Sequence, residues 1–204
     1  MLATGRDILA KLHTRTFGRC FDIDVIGLER VPKNQQLLIA ANHCSHLDYG
    51  TLKFALEDHV VGLSALAAAD YFFDERWKRR LLLPLTDLIP VMRQGSFSLA
   101  LKGAEEAIAR GRSIIIFPEG TRGVGESLLP FRPGVGYLQR RSELPVLPVY
   151  LWGTHQILPK GQTVPRGRRI LVLIGEVMDH AVLSEMTRGK RTSKSYQAIA
   201  ESVR

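Results

Sequence analysis

Short runs rich in valine, isoleucine and leucine recur along the chain and alternate with segments of helical periodicity. Several of the runs are apolar throughout, which is typical of strands that are covered on both faces. The alternation predicts a single-domain α/β/α sandwich around a largely parallel sheet. The predicted strands are 22–28, 37–41, 59–66, 87–92, 113–117, 145–151 and 169–175. The clearest predicted helix is 96–110, capped by Gly111, and weaker helical patterns cover 48–57, 72–83, 134–142 and 193–203.

Length and charge narrow the classes of function. A chain of 204 residues is long enough for one well-filled core, so we expect one domain over residues 1–204. The net charge of +8 favours anionic partners such as phospholipid headgroups or phosphorylated substrates. No nucleic-acid-binding module accompanies the basic residues, so we expect no nucleic-acid partner.

The N-terminal segment, residues 1–20, can be interpreted in two ways. Its apolar residues fall near one side of a helix and its basic residues on the rest, so it can pack on the core or lie on an anionic membrane surface. No apolar stretch reaches the roughly 18 to 20 residues that a membrane-spanning helix needs. We therefore expect at most a peripheral association with a membrane.

Four polar or glycine-rich loops follow predicted strands: residues 42–48, 93–96, 118–123 and 152–155. In open α/β sheets, ligands bind beyond the carboxyl ends of the strands. We therefore expect these four loops to meet at one edge of the sheet and to form the functional site there.

The loop 42–48, with the sequence NHCSHLD, suggests acid–base chemistry. A neutral imidazole at His43 would accept a proton from a hydroxyl, and Asp48 would fix its tautomer and stabilise the imidazolium. A zinc site is disfavoured, because four possible ligands within six residues is not a common spacing and no second Cys/His cluster appears. Ser45 lacks the G-x-S-x-G elbow of a serine nucleophile. Cys44 remains open as a covalent nucleophile.

The loop 118–123, PEGTRG, suggests anion binding. Backbone N–H groups of a glycine-containing loop can hold an anion, and Arg122 can clamp a phosphate with two hydrogen bonds. Arg93, which follows another strand, would supply a second cation. Glu119 does not suit an anion site, so we expect it to bind a hydroxyl or to orient Arg122.

Taken together, these blocks resemble the glycerolipid acyltransferases, a family that includes the glycerol-3-phosphate and lysophosphatidic acid acyltransferases. The N-H-x-x-x-x-D motif of the family is found here as Asn42, His43 and Asp48, and the F-P-E-G-T-R motif of the family is present in full at 117–122. An apolar strand that ends in Arg93, an FRPG element at 131–134 and a proline-containing strand at 146–151 complete the resemblance between about 37 and 154.

The resemblance implies transfer of a fatty acyl group from acyl-CoA or acyl carrier protein to a hydroxyl of a lysophospholipid-type acceptor. The default acceptor is 1-acyl-glycerol-3-phosphate. His43 and Asp48 would be catalytic, with direct attack of the hydroxyl on the thioester. Glu119, Gly120, Thr121 and Arg122 would bind the acceptor, and Arg93 would help to hold its phosphate. It implies no metal and no cofactor beyond the acyl donor, and a cytoplasmic enzyme at the inner face of the cell membrane.

Two other functions remain open at this point. The same base could activate water, which would make the protein an acyl-thioester hydrolase. A non-catalytic lipid-binding protein is the second alternative, although binding alone does not need an oriented base.

Overall fold

The computed structural model describes residue 12 and residues 15–68, 88–91, 97–125, 127–159, 161–162 and 164–204. The strands are β1 (Asp22–Ile26), β2 (Leu38–Ala41), β3 (Ser64–Ala68), β4 (Leu88–Val91), β5 (Ile114–Ile116), β6 (Val146–Trp152) and β7 (Arg169–Ile174). The helices are α1 (Asp48–Leu56), α2 (Phe97–Ala109), α3 (Gly134–Ser142), α4 (Thr154–Ile157), α5 (His180–Met186) and α6 (Thr192–Ser202). A 3₁₀ turn covers Leu28–Arg30, and residues 15–20 are also helical.

The strands form one sheet in the order β1-β7-β6-β2-β5-β3-β4. All neighbouring pairs are parallel except β6 and β7, so β1 and β7 run opposite to the other five strands. The sequence prediction of a largely parallel sheet is therefore confirmed. The orientation of β1 and β7 was not predictable from their composition.

Both faces of the sheet are covered. All four residues of β2 are buried, and they point alternately into two separate apolar clusters. Ile39 packs with Leu52 of α1 on one face, whereas Leu38 packs with Leu101 of α2 and Leu138 of α3 on the other. The predicted α/β/α sandwich is confirmed, and its central strand β2 delivers the loop 42–48 to one edge.

Some predicted boundaries were wrong. The strand predicted over 59–66 is β3 and begins only at Ser64, because the N–H groups of His59 and Val60 donate to the Leu56 carbonyl in a turn that ends α1. Helices α4 and α5 were not predicted. The helix predicted over 72–83 lies outside the described residues.

In the described part of the N-terminal segment, Phe17 packs against the apolar core, and the other residues of 15–20 are exposed. Phe17 is partly buried against the core, with its ring centroid 4.8 Å from that of Phe21 and 6.4 Å from that of Phe54. The contact of Phe17 fits the core-packing interpretation, and both interpretations of the whole segment stay predictions. None of the helices in the described part of the chain has the length and apolar character that a bilayer-spanning helix requires.

Candidate active site

Three of the four predicted loops meet at the carboxyl edge of β2, β5 and β6, which are neighbours and run in parallel. The N–H of Gly123 donates to the His43 carbonyl at 2.7 Å, and the N–H of Gly125 donates to His155 Nε2 at 3.2 Å. Asn42 fastens the same edge, because its side-chain amide exchanges two hydrogen bonds with the backbone of Leu151 in β6. Arg93, which belongs to the fourth loop, lies outside the described residues.

His43 and Asp48 are in direct contact. His43 Nδ1 lies 2.8 Å from Asp48 Oδ2, and the Asp48 side chain is fully buried while the His43 ring is 25% exposed. The same carboxylate oxygen accepts the backbone N–H groups of Cys44 at 2.7 Å and Ser45 at 2.8 Å. These two N–H donors fix the Asp48 carboxylate. As an acceptor, the carboxylate favours the tautomer of His43 that carries its proton on Nδ1, which leaves Nε2 as the nitrogen that can accept a proton.

Phe117 holds the His43 ring from the side. The two rings are stacked, with centroids 4.1 Å apart and an interplanar angle of 19°. Together with the bond to Asp48, this contact restricts the ring to one plane. Sequence reasoning gave Phe117 no role, although it opens the F-P-E-G-T-R block and ends the β5 run, which was the available signal.

Glu119 links the two central loops. Its side chain is buried at 3% exposure, its Oε1 accepts the backbone N–H of His43 at 2.7 Å, and its Oε2 accepts the N–H of Leu129 at 3.1 Å. The carboxylate therefore positions the backbone of the proposed base. The expected contact between Glu119 and an acceptor hydroxyl stays a prediction.

A second cation, Arg132 of the FRPG element, lies near the loop that holds Arg122. Arg122 Nη1 hydrogen-bonds His46 Nε2, so His46 serves as a structural hydrogen-bonding partner. Gly120 has a φ of +69° and lies against the exposed Arg132, whose Nε would be 3.0 Å from a Cβ at that position. Thr121 is exposed on the same loop. Sequence analysis noted the FRPG element but did not assign Arg132 to the site.

Cys44 and Ser45 are both buried and hydrogen-bonded. Burial, reinforced by the negative charge of Asp48, raises the pKa of the Cys44 thiol to about 11, although a hydrogen bond with Thr154 opposes this shift. The Cys44 Sγ lies 3.3 Å from Thr154 Oγ1. Ser45 is fully buried and its hydroxyl donates to the Leu158 carbonyl at 2.8 Å. A thiol with this pKa stays protonated at neutral pH, which disfavours Cys44 as a nucleophile.

The described residues contain no group of three or more His, Cys, Asp or Glu side chains arranged to hold a metal ion. His43 and Asp48 instead bond each other, and His46 bonds Arg122. The polar residues of the loop 42–48 are therefore used for hydrogen bonds within the site.

Comparisons with known proteins point to one group. The family model described as Acyltransferase matches residues 22–152, which include the loops 42–48 and 118–123, Arg93 and the FRPG element. The chain is 27% identical over 175 residues to a 1-acyl-sn-glycerol-3-phosphate acyltransferase of Borreliella burgdorferi, covering 84% of this chain and 67% of that protein. It is 28% identical over 151 residues to a chloroplastic 1-acyl-sn-glycerol-3-phosphate acyltransferase of Brassica napus, covering 69% of this chain and only 40% of the relative.

A solved structure extends the similarity to the fold. The crystal structure of the 1-acyl-sn-glycerophosphate (LPA) acyltransferase PlsC from Thermotoga maritima superimposes with a TM-score of 0.70 at 26% identity. The match covers 97% of this chain and 76% of that protein.

Proposed function

Because the chain belongs to the acyltransferase family, we propose that it transfers a fatty acyl group from a thioester to a hydroxyl of a lysophospholipid-type acceptor. The observation that carries this proposal is the 2.8 Å contact between His43 Nδ1 and the buried Asp48 carboxylate. An oriented imidazole with a free second nitrogen is what deprotonation of a hydroxyl requires.

The reaction proceeds by direct attack. His43 Nε2 takes the proton of the acceptor hydroxyl as its oxygen attacks the thioester carbonyl carbon. The tetrahedral intermediate then collapses, the C–S bond breaks, and the imidazolium returns the proton to the leaving thiolate. The raised pKa of the Cys44 thiol supports this route over an acyl-enzyme on that residue.

The acceptor is proposed to be 1-acyl-glycerol-3-phosphate. The similar proteins of Borreliella, Brassica and Thermotoga, which are all named as acyltransferases for this kind of acceptor, support this choice. Arg122, Gly120 and Thr121 would hold the phosphate at the edge that also carries His43, with Arg93 as a further cation. A charged acceptor also fits the net charge of +8.

The donor is proposed to be acyl-CoA or an acylated carrier protein, with no other cofactor. We further propose that the protein works peripherally at an anionic membrane surface, where a lysophospholipid acceptor resides. The basic net charge supports such a contact, because each exposed Lys or Arg near an anionic surface contributes about 1 kcal/mol.

An acceptor panel tests the proposal. Purified protein is given palmitoyl-CoA with 1-acyl-glycerol-3-phosphate, with the dephosphorylated monoacylglycerol, with glycerol-3-phosphate or with no acceptor, and both free thiol and lipid product are measured. We expect thiol release to depend on the acceptor and to equal the diacyl product formed. Equal thiol release without an acceptor, accompanied by free fatty acid, would identify a thioester hydrolase instead. Acyl transfer that prefers monoacylglycerol would retain the reaction class but reject the phosphorylated acceptor.

A further inference from the structure

A polar cavity of about 420 Å³ lies where α3, α5 and α6 meet. Its location follows from the strand directions. The N–H of Leu38, the first residue of β2, donates to Pro145, which follows α3, whereas β2 ends just before His43. The end of α3 and the cavity beside it therefore lie at the edge of the sheet opposite His43.

The cavity is lined by basic side chains and hydroxyl groups. Arg140 and Arg141 come from the last turn of α3, and Arg188 and Lys190 come from the turn between α5 and α6. Ser184 and Thr192 also line the cavity, and Thr192 is the first residue of the 11-residue helix α6. The positive end of that helix adds to the favourable potential for an anion.

Among the described residues, carboxylates pair with two of these four cations. Arg141 pairs with Glu105 at 3.1 Å, and Arg188 pairs with Glu185. Arg140 instead donates to the Ser184 hydroxyl at 3.3 Å. Within the described part of the chain, no carboxylate lies within ion-pair distance of Arg140 or Lys190. Two positive charges that line the cavity therefore have no acidic partner among the described residues.

We propose that this cavity is a second anion-binding site that takes a phosphate-bearing ligand. A guanidinium from α3 and an ammonium group from the turn between α5 and α6, with hydroxyl groups in the same lining, match a multiply charged phosphate better than a single carboxylate. The site is separate from the acyl-transfer chemistry, because it opens at the opposite edge of the sheet. The proposal therefore does not depend on the proposed function, and its test measures binding instead of turnover.

Calorimetric titration with inorganic pyrophosphate at low ionic strength tests the proposal. The variant is Arg140→Gln/Lys190→Gln, which removes both charges that have no acidic partner in the described part of the chain. The matched control is Arg168→Gln/Arg169→Gln, which removes two exposed charges from another part of the surface. We expect the first variant to bind pyrophosphate about 10- to 100-fold more weakly, the usual range for loss of charge-assisted contacts, and the control to bind like the wild type. If the double variant is unstable, Lys190→Gln alone is expected to weaken binding in the same direction.

Three outcomes of these titrations would contradict a second anion-binding site, and a vesicle assay identifies its ligand. Lack of binding by the wild type at millimolar pyrophosphate, equal weakening in both double variants, or weakening only in Arg122→Ala would overturn the proposal. Cosedimentation with phosphatidylcholine vesicles, with and without phosphatidic acid, identifies the source of the phosphate. Loss of vesicle binding in Arg140→Gln/Lys190→Gln alone would assign the cavity to lipid headgroups. Unchanged vesicle binding together with weakened pyrophosphate binding would assign it to a soluble ligand.

Discussion

Glu119 offers a sharp test of how the site is held together, and Glu119→Gln is the variant to make. The wild-type carboxylate accepts the N–H groups of His43 and Leu129, at 2.7 and 3.1 Å. A glutamine keeps one acceptor oxygen but points an amide NH₂ at the other N–H. One buried backbone donor then loses its partner, at a cost of about 1 to 3 kcal/mol, and the remaining bond loses its charge assistance.

The expected loss is about 2 to 4 kcal/mol in the free energy of unfolding. For a chain of this size, that corresponds to a decrease in Tm of about 4 to 16 °C. Thermal unfolding followed by circular dichroism measures it. Glu176→Gln is the matched control, because its carboxylate is 82% exposed and pairs with Arg30 at the surface. That control is expected to change stability by less than about 1 kcal/mol.

Turnover gives a second measurement on the Glu119→Gln variant. Because Glu119 holds the backbone of His43, we expect kcat to fall together with stability, with a smaller change in the KM for the acceptor. A Glu119→Gln protein with unchanged Tm and kcat but a raised acceptor KM would refute the bracing role. The carboxylate would then serve the acceptor hydroxyl, as the family resemblance implies.

Three further predictions concern other parts of the fold and site. At pH 8, iodoacetamide is expected to alkylate the exposed Cys20 and to leave Cys44 largely unmodified, since the pKa of the Cys44 thiol is about 11. Peptide mass spectrometry measures the alkylation of both residues, and rapid alkylation of Cys44 would contradict its burial. Arg122→Ala is expected to lower kcat/KM for a phosphorylated acceptor about 10- to 100-fold and to spare its dephosphorylated analogue, whereas equal losses for both would remove Arg122 from phosphate recognition. Gly136→Ala is expected to lower the free energy of unfolding, measured with urea, by about 1 to 3 kcal/mol or more. The added Cβ would lie 2.1 Å from the Tyr196 carbonyl oxygen, where α3 meets α6. Unchanged stability would show that the two helices can separate there.

The sequence predicted those parts of the fold that depend on local pattern. The buried strands β2, β5 and β6 were visible because their apolar, β-branched runs differ from the surrounding chain. The run before β3 misled the prediction, because Val60 and Leu63 are apolar for packing in a turn and not for a strand. Helix α4 spans only Thr154–Ile157, which is too short to show a helical period.

The candidate site was predictable to the level of loops but not of contacts. The rule that parallel strands share a carboxyl edge brought His43, Glu119 and Thr154 together correctly. The stacking of Phe117 on His43 depends on the distance between neighbouring strands, which no local pattern encodes. The two bonds of Glu119 to backbone N–H groups likewise depend on the folded path of both loops.

The central claim is that His43, oriented by Asp48, deprotonates the acceptor for direct attack on the thioester. The most direct measurement compares formation of the diacyl product by wild type and by His43→Ala, with palmitoyl-CoA and 1-acyl-glycerol-3-phosphate under saturating conditions. The account predicts that turnover falls by about 10²-fold or more, the usual scale for loss of a general base, while Tm stays within a few degrees because the ring is partly exposed. A folded His43→Ala protein that forms the product at nearly the wild-type rate would contradict the account.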